Sequence, residues 1–136
     1  MASALYGKGR EGFLAGNIDW DADAIKVVLV NTSTYTLSID ADDFLSDIIT
    51  GDRIATSAAM GSKTVTLGVA DAANFSFTSV TGVTSQYLVV YVESGGAATS
   101  RLIANIDSDA TGLPIKPNGA NIDVTWSGTT SRIFKL

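Results

Sequence analysis

Residues 87–107, which read YLVVYVESGGAATSRLIANID, decide the fold of this chain. The stretch opens with residues 87–92, an unbroken run of tyrosine, leucine and valine, which is typical of a strand buried on both faces. A glycine- and alanine-rich segment suited to a turn follows. The chain then returns with Leu102, Ala104 and Ile106 predicted on one shared face. We therefore predict a central antiparallel hairpin, from which the other strands pair outward.

Short strand-like segments fill most of the remaining chain. Some are apolar throughout, whereas residues 64–67 and 74–77 alternate, which predicts that only one of their faces is buried. Glycine, asparagine and aspartate residues separate the segments. The predicted strands are residues 25–30, 53–58, 64–67, 74–77, 121–126 and 131–136. Many short strands and few helices favour an all-β fold, either an antiparallel β-sandwich or a barrel. Residues 17–136 are predicted to form it as a single domain.

One short helix is predicted near residues 40–49. Asp40 is placed to cap it, and the aspartates that follow suit the positive end of the helix dipole. Phe44, Leu45 and Ile48 have the spacing of one apolar stripe on a helix. We expect this helix to lie across an end or a face of the sheets.

The N-terminal residues 1–16 contain four glycines, a density that disfavours a helix and predicts an extended arm. Its apolar residues either close the core of this domain or lie on a neighbouring subunit. The same two interpretations apply to the apolar C-terminus, where a core strand is the alternative to a contact with a neighbour. The candidate assembly contacts are Leu5, Tyr6, Phe13, Leu14, Ile133, Phe134 and Leu136.

Composition and charge disfavour several functional classes. Hydrophobic residues make up 46% of the chain and charged residues 17%, which argues against a disordered protein. The formal net charge is −5 and the lysines and arginines are scattered, so no nucleic-acid partner is expected. No apolar stretch reaches the ~20 residues that span a bilayer, so no membrane partner is expected. The first residues lack a secretory pattern, and we expect synthesis in the cytoplasm.

No group of residues predicts catalysis or cofactor binding. The chain contains no cysteine and no histidine, which removes thiolate chemistry, the Ser-His-Asp triad and the commonest metal ligand. One turn, with Asp107 and Asp109 before Gly112, begins like a calcium-binding loop, but Asn118 stands where a bidentate carboxylate is needed. Calcium there competes with an ordinary aspartate-glycine turn. We predict a protein that is not an enzyme and holds no cofactor.

Two parts of the sequence resemble a known family, the small structural proteins in the virions of tailed bacteriophages. Residues 6–30, YGKGREGFLAGNIDWDADAIKVVLV, with FLSDI at 44–48, look like the opening of that family. Residues 100–119, SRLIANIDSDATGLPIKPNG, with TSRIFKL at 130–136, look like its ending. The resemblance covers essentially the whole chain and implies virion assembly, with no catalytic or cofactor residues to transfer.

The resemblance does not fix the location within the virion, and among the roles in that family we expect a capsid decoration (cement) protein on the outside of the capsid. Such a protein would bind the major capsid protein or other virion proteins and bridge neighbouring capsid subunits. It would form homo-oligomers, with trimers favoured, and it would reside in the virion after synthesis in the host cytoplasm. A structural protein of the tail, head–tail junction or fibre base is the alternative.

A carbohydrate-binding β-sandwich for host attachment is an alternative from a different functional class. Aromatic side chains that stack on sugar rings would be needed. The candidates are Trp20, Trp126, Tyr6, Tyr35, Tyr87 and Tyr91, of which Trp126, Tyr87 and Tyr91 also fit core positions of predicted strands.

Overall fold

A computed structural model describes residues 4–107, 113–126, 128 and 133–136. Within these residues the chain forms ten strands and one α-helix, α1, at Gly7–Leu14. The strands are β1 Ala4–Leu5, β2 Ile25–Val30, β3 Arg53–Thr56, β4 Thr64–Thr66, β5 Val69–Asp71, β6 Phe75–Phe77, β7 Tyr87–Val92, β8 Leu102–Ile106, β9 Ile122–Val124 and β10 Phe134–Lys135.

The largest sheet contains five antiparallel strands in the order β1-β8-β7-β2-β3. Strand β7 lies at its centre and pairs along its whole length with β2, from Val30 opposite Tyr87 to Ile25 opposite Val92. On its other side β7 pairs with β8. The predicted central hairpin is therefore confirmed, and β2 and β7 begin and end at the predicted residues.

Both faces of this sheet are buried, because alternate residues of its central strands enter two separate hydrophobic clusters. Val27 and Val90 belong to the larger one, which we call cluster A. Val28 and Val89 belong to the smaller one, cluster B, on the opposite face. The continuous apolar run of β7 reflects this double burial, since a strand with one wet face would alternate with polar residues.

Two small antiparallel sheets complete the fold. The first has the order β10-β5-β4 and the second pairs β6 with β9. Ala70, Phe77, Val124 and Phe134 in these sheets belong to cluster A, so the small sheets cover one face of the large sheet. The described residues thus form an all-β, sandwich-like fold of three separate sheets, and the barrel alternative is not adopted.

A bulge in β8 changes the predicted facing of one residue. Val90 pairs with Ala104, but the next residue, Tyr91, pairs with Leu102, so Ile103 is the extra residue in the ladder. Leu102 therefore enters cluster B, whereas Ala104 enters cluster A. The shared face predicted for Leu102 and Ala104 is wrong, because an extra residue inverts the alternation on one side of the bulge.

The N-terminal segment differs most from its prediction. In place of an extended arm, Ala4–Leu5 pair with β8 and Gly7–Leu14 form α1. The glycines allow a close approach: a Cβ on Gly9 would stand only 2.7 Å from the carbonyl oxygen of Ile103. Packing against β8 thus offsets the low helix propensity of glycine. Whether residues 17–136 fold without this segment stays a prediction.

Residues 40–49 do not form the predicted α-helix. Only a single 3₁₀ turn, Leu45–Asp47, occurs there. The Asp47 carboxylate accepts hydrogen bonds from the backbone N–H groups of Asp43 at 2.8 Å and Phe44 at 2.9 Å. Aspartate side chains that bond nearby backbone in this way compete with a helix, which explains why an aspartate-rich segment forms turns.

Candidate functional site

An open apolar groove lies beside the small β10-β5-β4 sheet. Its volume is about 340 Å³. One wall is formed by the small sheet and the other by α1 and the segment after it. The lining residues are Phe13, Gly16, Ile18, Asp19, Trp20, Val65, Gly68, Ala70, Phe134 and Leu136.

The sheet register explains the apolar wall of the groove. Val65 and Phe134 both pair with Ala70, so these three residues are cross-strand neighbours on one face of the small sheet. At the base of the groove, Trp20 meets Phe134 edge to face with ring centroids 5.1 Å apart, and Phe13 lies 5.7 Å from Phe134. The Trp20 indole is fixed by its Nε1–H, which donates to the backbone oxygen of Asp71 at 3.1 Å.

The rim of the groove exposes large apolar side chains that no part of the described chain covers. Val65 is 54% exposed although it shares the inward face of the sheet, and Leu136 is 59% exposed. Leu67, next to the lining residue Gly68, is 90% exposed, and so is Leu14 at the end of α1. The sequence predicted that one face of residues 64–67 would be buried. That prediction is wrong, because β4 is an outer strand over an unfilled gap.

The turn that carries Leu67 has an unusual residue for its conformation. Leu67 and Gly68 are the two central residues between β4 and β5, with φ of +53° and +79°. Two-residue hairpins of this type prefer asparagine, aspartate or glycine, because a Cβ is unfavourable at positive φ. Gly68 meets this requirement, and a Cβ there would lie 2.8 Å from the backbone oxygen of Leu136. Leu67 does not meet it.

One charged residue lines the groove, and a residue of opposite charge lies near the Leu67 turn. Asp19 lines the groove and is held in place because its carboxylate accepts hydrogen bonds from the backbone N–H groups of Asp21 and Ala22, both at 3.1 Å. Neither Asp19 nor Asp21 forms an ion pair with a described residue. Across the sheet, Lys135 is exposed and pairs in register with Val69, close to the Leu67 turn. It also has no anionic partner among the described residues.

Of the seven candidate assembly contacts, four lie at or next to the groove, one lies in the large sheet and two are buried in the core. Phe13, Phe134 and Leu136 meet at the groove, and Leu14 follows Phe13 on α1 as an exposed residue. Leu5 pairs within the large sheet and is half-buried.

Tyr6 and Ile133 are the two buried candidates. They are 0% and 2% exposed and lie in clusters B and A, respectively. Their interpretation as contacts with a neighbour is corrected, since a side chain inside the core presents no surface.

The tyrosines proposed as sugar platforms instead form part of cluster B. The Tyr35 hydroxyl donates to Asp42 at 2.6 Å and lies 3.1 Å from the Tyr6 hydroxyl. Burial raises the pKa of Tyr6 to about 12 and also raises the pKa of Tyr35. Burial likewise raises the pKa of Tyr91 to about 12. Among the six aromatic candidates only Tyr87 is not buried, so the set does not form an exposed stacking surface.

The calcium candidate is only partly described. Asp107 is buried, and its backbone oxygen accepts a hydrogen bond from Gln86 Nε2 at 3.1 Å. Asp109 lies outside the described residues, so calcium at this turn stays a prediction. Among the residues that the structure describes, no group of three or more acidic, histidine or cysteine side chains could hold a metal ion. No helix in the described ranges is long and apolar enough to cross a membrane.

Several groove residues were not singled out by sequence reasoning. Ile18 and Val65 have no local pattern that separates a groove wall from an ordinary core position. Leu67 did carry a signal, because a leucine-glycine pair between two β-rich triplets marks a tight hairpin with a poorly suited first residue. No protein-family model matches the chain, and no curated protein matches it.

Proposed function

We propose that this protein is a non-enzymatic structural protein of a phage virion, most specifically a capsid decoration protein. Its task would be to bind the outer capsid surface and to bridge neighbouring subunits. The observation that carries the proposal is the groove with its exposed apolar rim, a surface that assembly with other subunits of a virion would cover. Exposed apolar surface of this kind marks interaction sites, because a monomeric protein gains nothing from leaving it in water.

The rest of the fold suits a role that depends on contact. A sheet buried on both faces is a stiff support, and the walls of the groove, α1 and the small β10-β5-β4 sheet, pack against that sheet. The formal net charge of −5 would keep free subunits apart and soluble before assembly. Many copies on one capsid would then convert weak individual contacts into strong collective attachment. The resemblance of both chain ends to phage structural proteins supports the virion as the location.

Binding to capsids tests this function directly. Capsids that lack the protein should bind the purified chain to a saturable level comparable with the copy number of the major capsid protein, and should then resist heat better. Purified tails, the location required by the alternative, should bind little. A Val90→Asp chain, which we expect to be unfolded, is the control for non-specific adhesion. Saturable binding to tails with none to capsids would replace decoration by the tail role.

The glycan-binding alternative makes a different prediction. Its proposed platforms are mainly buried, so titration with sugars should leave tryptophan fluorescence unchanged. Saturable quenching by a defined glycan would favour host attachment over capsid binding.

A further inference from the structure

We propose that the occupant of the groove is a second copy of this chain, which inserts its Leu67 turn while its own groove receives the Leu67 turn of the first. This inference deepens the proposed function, on which it rests for its biological setting. The interface follows from three features of the described residues: a strained, projecting leucine, an adjacent apolar groove, and opposite charges beside the two.

Leu67 is energetically unfavourable in the isolated subunit. Its backbone is in the left-handed region at φ +53°, where a leucine is unfavourable relative to glycine or asparagine. Its side chain is 90% exposed, so it gains no burial in return. Strained residues of this kind cluster at functional sites and ligand clamps. A partner that buries the side chain would supply the missing compensation.

The groove matches the Leu67 turn in apolar character and in size. The groove is walled by aromatic and aliphatic side chains, among them Phe13, Trp20 and Phe134. Its volume of about 340 Å³ accommodates a leucine side chain together with part of the narrow turn that carries it. An apolar anchor in an apolar pocket is the usual centre of a protein interface.

The charged residues near the turn and near the groove have opposite signs. Lys135 lies beside the Leu67 turn, and Asp19 lines the groove, with Asp21 two residues further along the chain. Insertion of one copy's turn into the other's groove would bring the lysine of each chain toward the aspartates of its partner. None of these three side chains has an ion-pair partner among the described residues of its own chain. The arrangement is therefore complementary between copies, although the chain as a whole is acidic.

The relative position of the turn and the groove determines the symmetry of the assembly. Leu67 adjoins Gly68, which itself lines the groove, so the inserting turn and the receiving groove lie side by side on one surface. Two copies related by a two-fold axis at this surface can make both insertions at once and close the assembly. A ring of three through the same contact would need the turn and the groove on well-separated surfaces. The interface thus predicts a dimer rather than the trimer that the family resemblance implies.

Sedimentation velocity of the purified chain over a concentration series tests the interface. We expect a reversible dimer of twice the 14.1 kDa chain mass. Leu67→Asn should weaken the dimer by about 100-fold or more, because two leucines lose their burial. Ile49→Asn is the matched control: Ile49 is 62% exposed and follows the cluster B residue Ile48, on the face of the large sheet opposite the groove. It should leave dimerisation unchanged.

A second measurement separates a lost contact from a damaged fold. At a concentration where both proteins are monomeric, Leu67→Asn should raise Tm by about 2–5 °C, because asparagine tolerates the left-handed backbone better than leucine. A variant that dimerises more weakly but has a higher Tm than wild type cannot have lost its dimerisation through unfolding.

Single cysteines provide a direct check of proximity, since the chain has no cysteine of its own. Oxidising a mixture of Leu67→Cys and Leu136→Cys chains should give disulfide-linked heterodimers. A mixture of Leu67→Cys and Ile49→Cys chains should give few.

The outcomes distinguish this inference from the proposed function. A wild-type chain that remains monomeric at all concentrations would overturn the inference, and so would a dimer or trimer that Leu67→Asn leaves intact. If such a chain still binds capsids, the decoration role stands and the groove holds a capsid protein. If the chain dimerises through Leu67 but binds neither capsids nor tails, the interface stands and the virion role fails.

Discussion

Replacing Gly9 by alanine tests how the N-terminal helix is held on the sheet. A Cβ at Gly9 would lie 2.7 Å from the Ile103 oxygen, 2.8 Å from the Ile103 Cα and 2.9 Å from the Leu102 oxygen. Comfortable contacts between such atoms are about 3.5–4.0 Å, so α1 must move by about 1 Å. The atoms in the way belong to the backbone of β8, the second strand of the large sheet, and cannot rotate aside.

The expected magnitude follows from two opposing effects. Overpacking a close contact costs about 1–3 kcal/mol, whereas alanine gains about 1 kcal/mol over glycine in a helix. We expect a net destabilisation of about 1–2 kcal/mol. Gly12→Ala is the matched control, because its Cβ would meet the flexible end of the Ile18 side chain at 2.6 Å. That variant should unfold within about 1 kcal/mol of wild type, since the Ile18 side chain can shift while helix propensity improves.

Urea unfolding followed by circular dichroism measures both free energies of unfolding. Hydrogen exchange at the amide of Tyr6, which donates to the Ile103 oxygen at 2.9 Å, reports whether the helix has separated from β8. A Gly9→Ala chain as stable as wild type, or more stable, would refute the close packing of α1 and would restore the extended arm.

Three further predictions concern the core. Val90→Asp should abolish the cooperative unfolding transition in thermal circular dichroism, because Val90 is 0% exposed and a buried, unpaired carboxylate costs several kcal/mol; an unchanged melting curve would remove Val90 from the core. Deleting residues 1–12 should sharply lower the unfolding midpoint in urea, since it removes the buried Tyr6 and the pairing of β1 with β8; a stable, fully folded remainder would show that residues 13–136 are self-sufficient. For pH, the pKa values of Tyr6 and Tyr91 are raised from 10.0 to about 12, so the folded state holds these protons more tightly than the unfolded state. The two protonated hydroxyls therefore contribute their full share to the stability of the folded state below pH 10, and this contribution is lost as pH rises toward 12. An ultraviolet titration in which every tyrosine of the folded protein ionises near pH 10 would contradict this.

The large sheet was predictable because its signal is local. Residues 87–92 are apolar throughout and residues 25–30 are apolar except for Lys26, a pattern that favours strands buried on both faces, and their boundaries match the structure. Strands β9, Ile122–Val124, and β10, Phe134–Lys135, are shorter than the strands predicted at 121–126 and 131–136, and residues 131 and 132 lie outside the described residues.

The N-terminal helix and the groove were not predictable, because neither depends on local preference. The helix forms since Gly9 and Gly12 permit contact with residues far away in the sequence, and glycine content alone indicates the opposite. The groove is a gap between the β10-β5-β4 sheet and the segment after α1, and a gap leaves no sequence pattern. Val65 illustrates this, because its alternation correctly indicates the inward face but not that the face is uncovered.

The copy number in purified virions tests the central claim most directly. Quantitative mass spectrometry of intact particles, with separated capsid and tail fractions, gives the ratio of this chain to the major capsid protein. A decoration protein predicts a ratio near that of the capsid protein, found in the capsid fraction. Absence of the chain from purified virions would contradict the account.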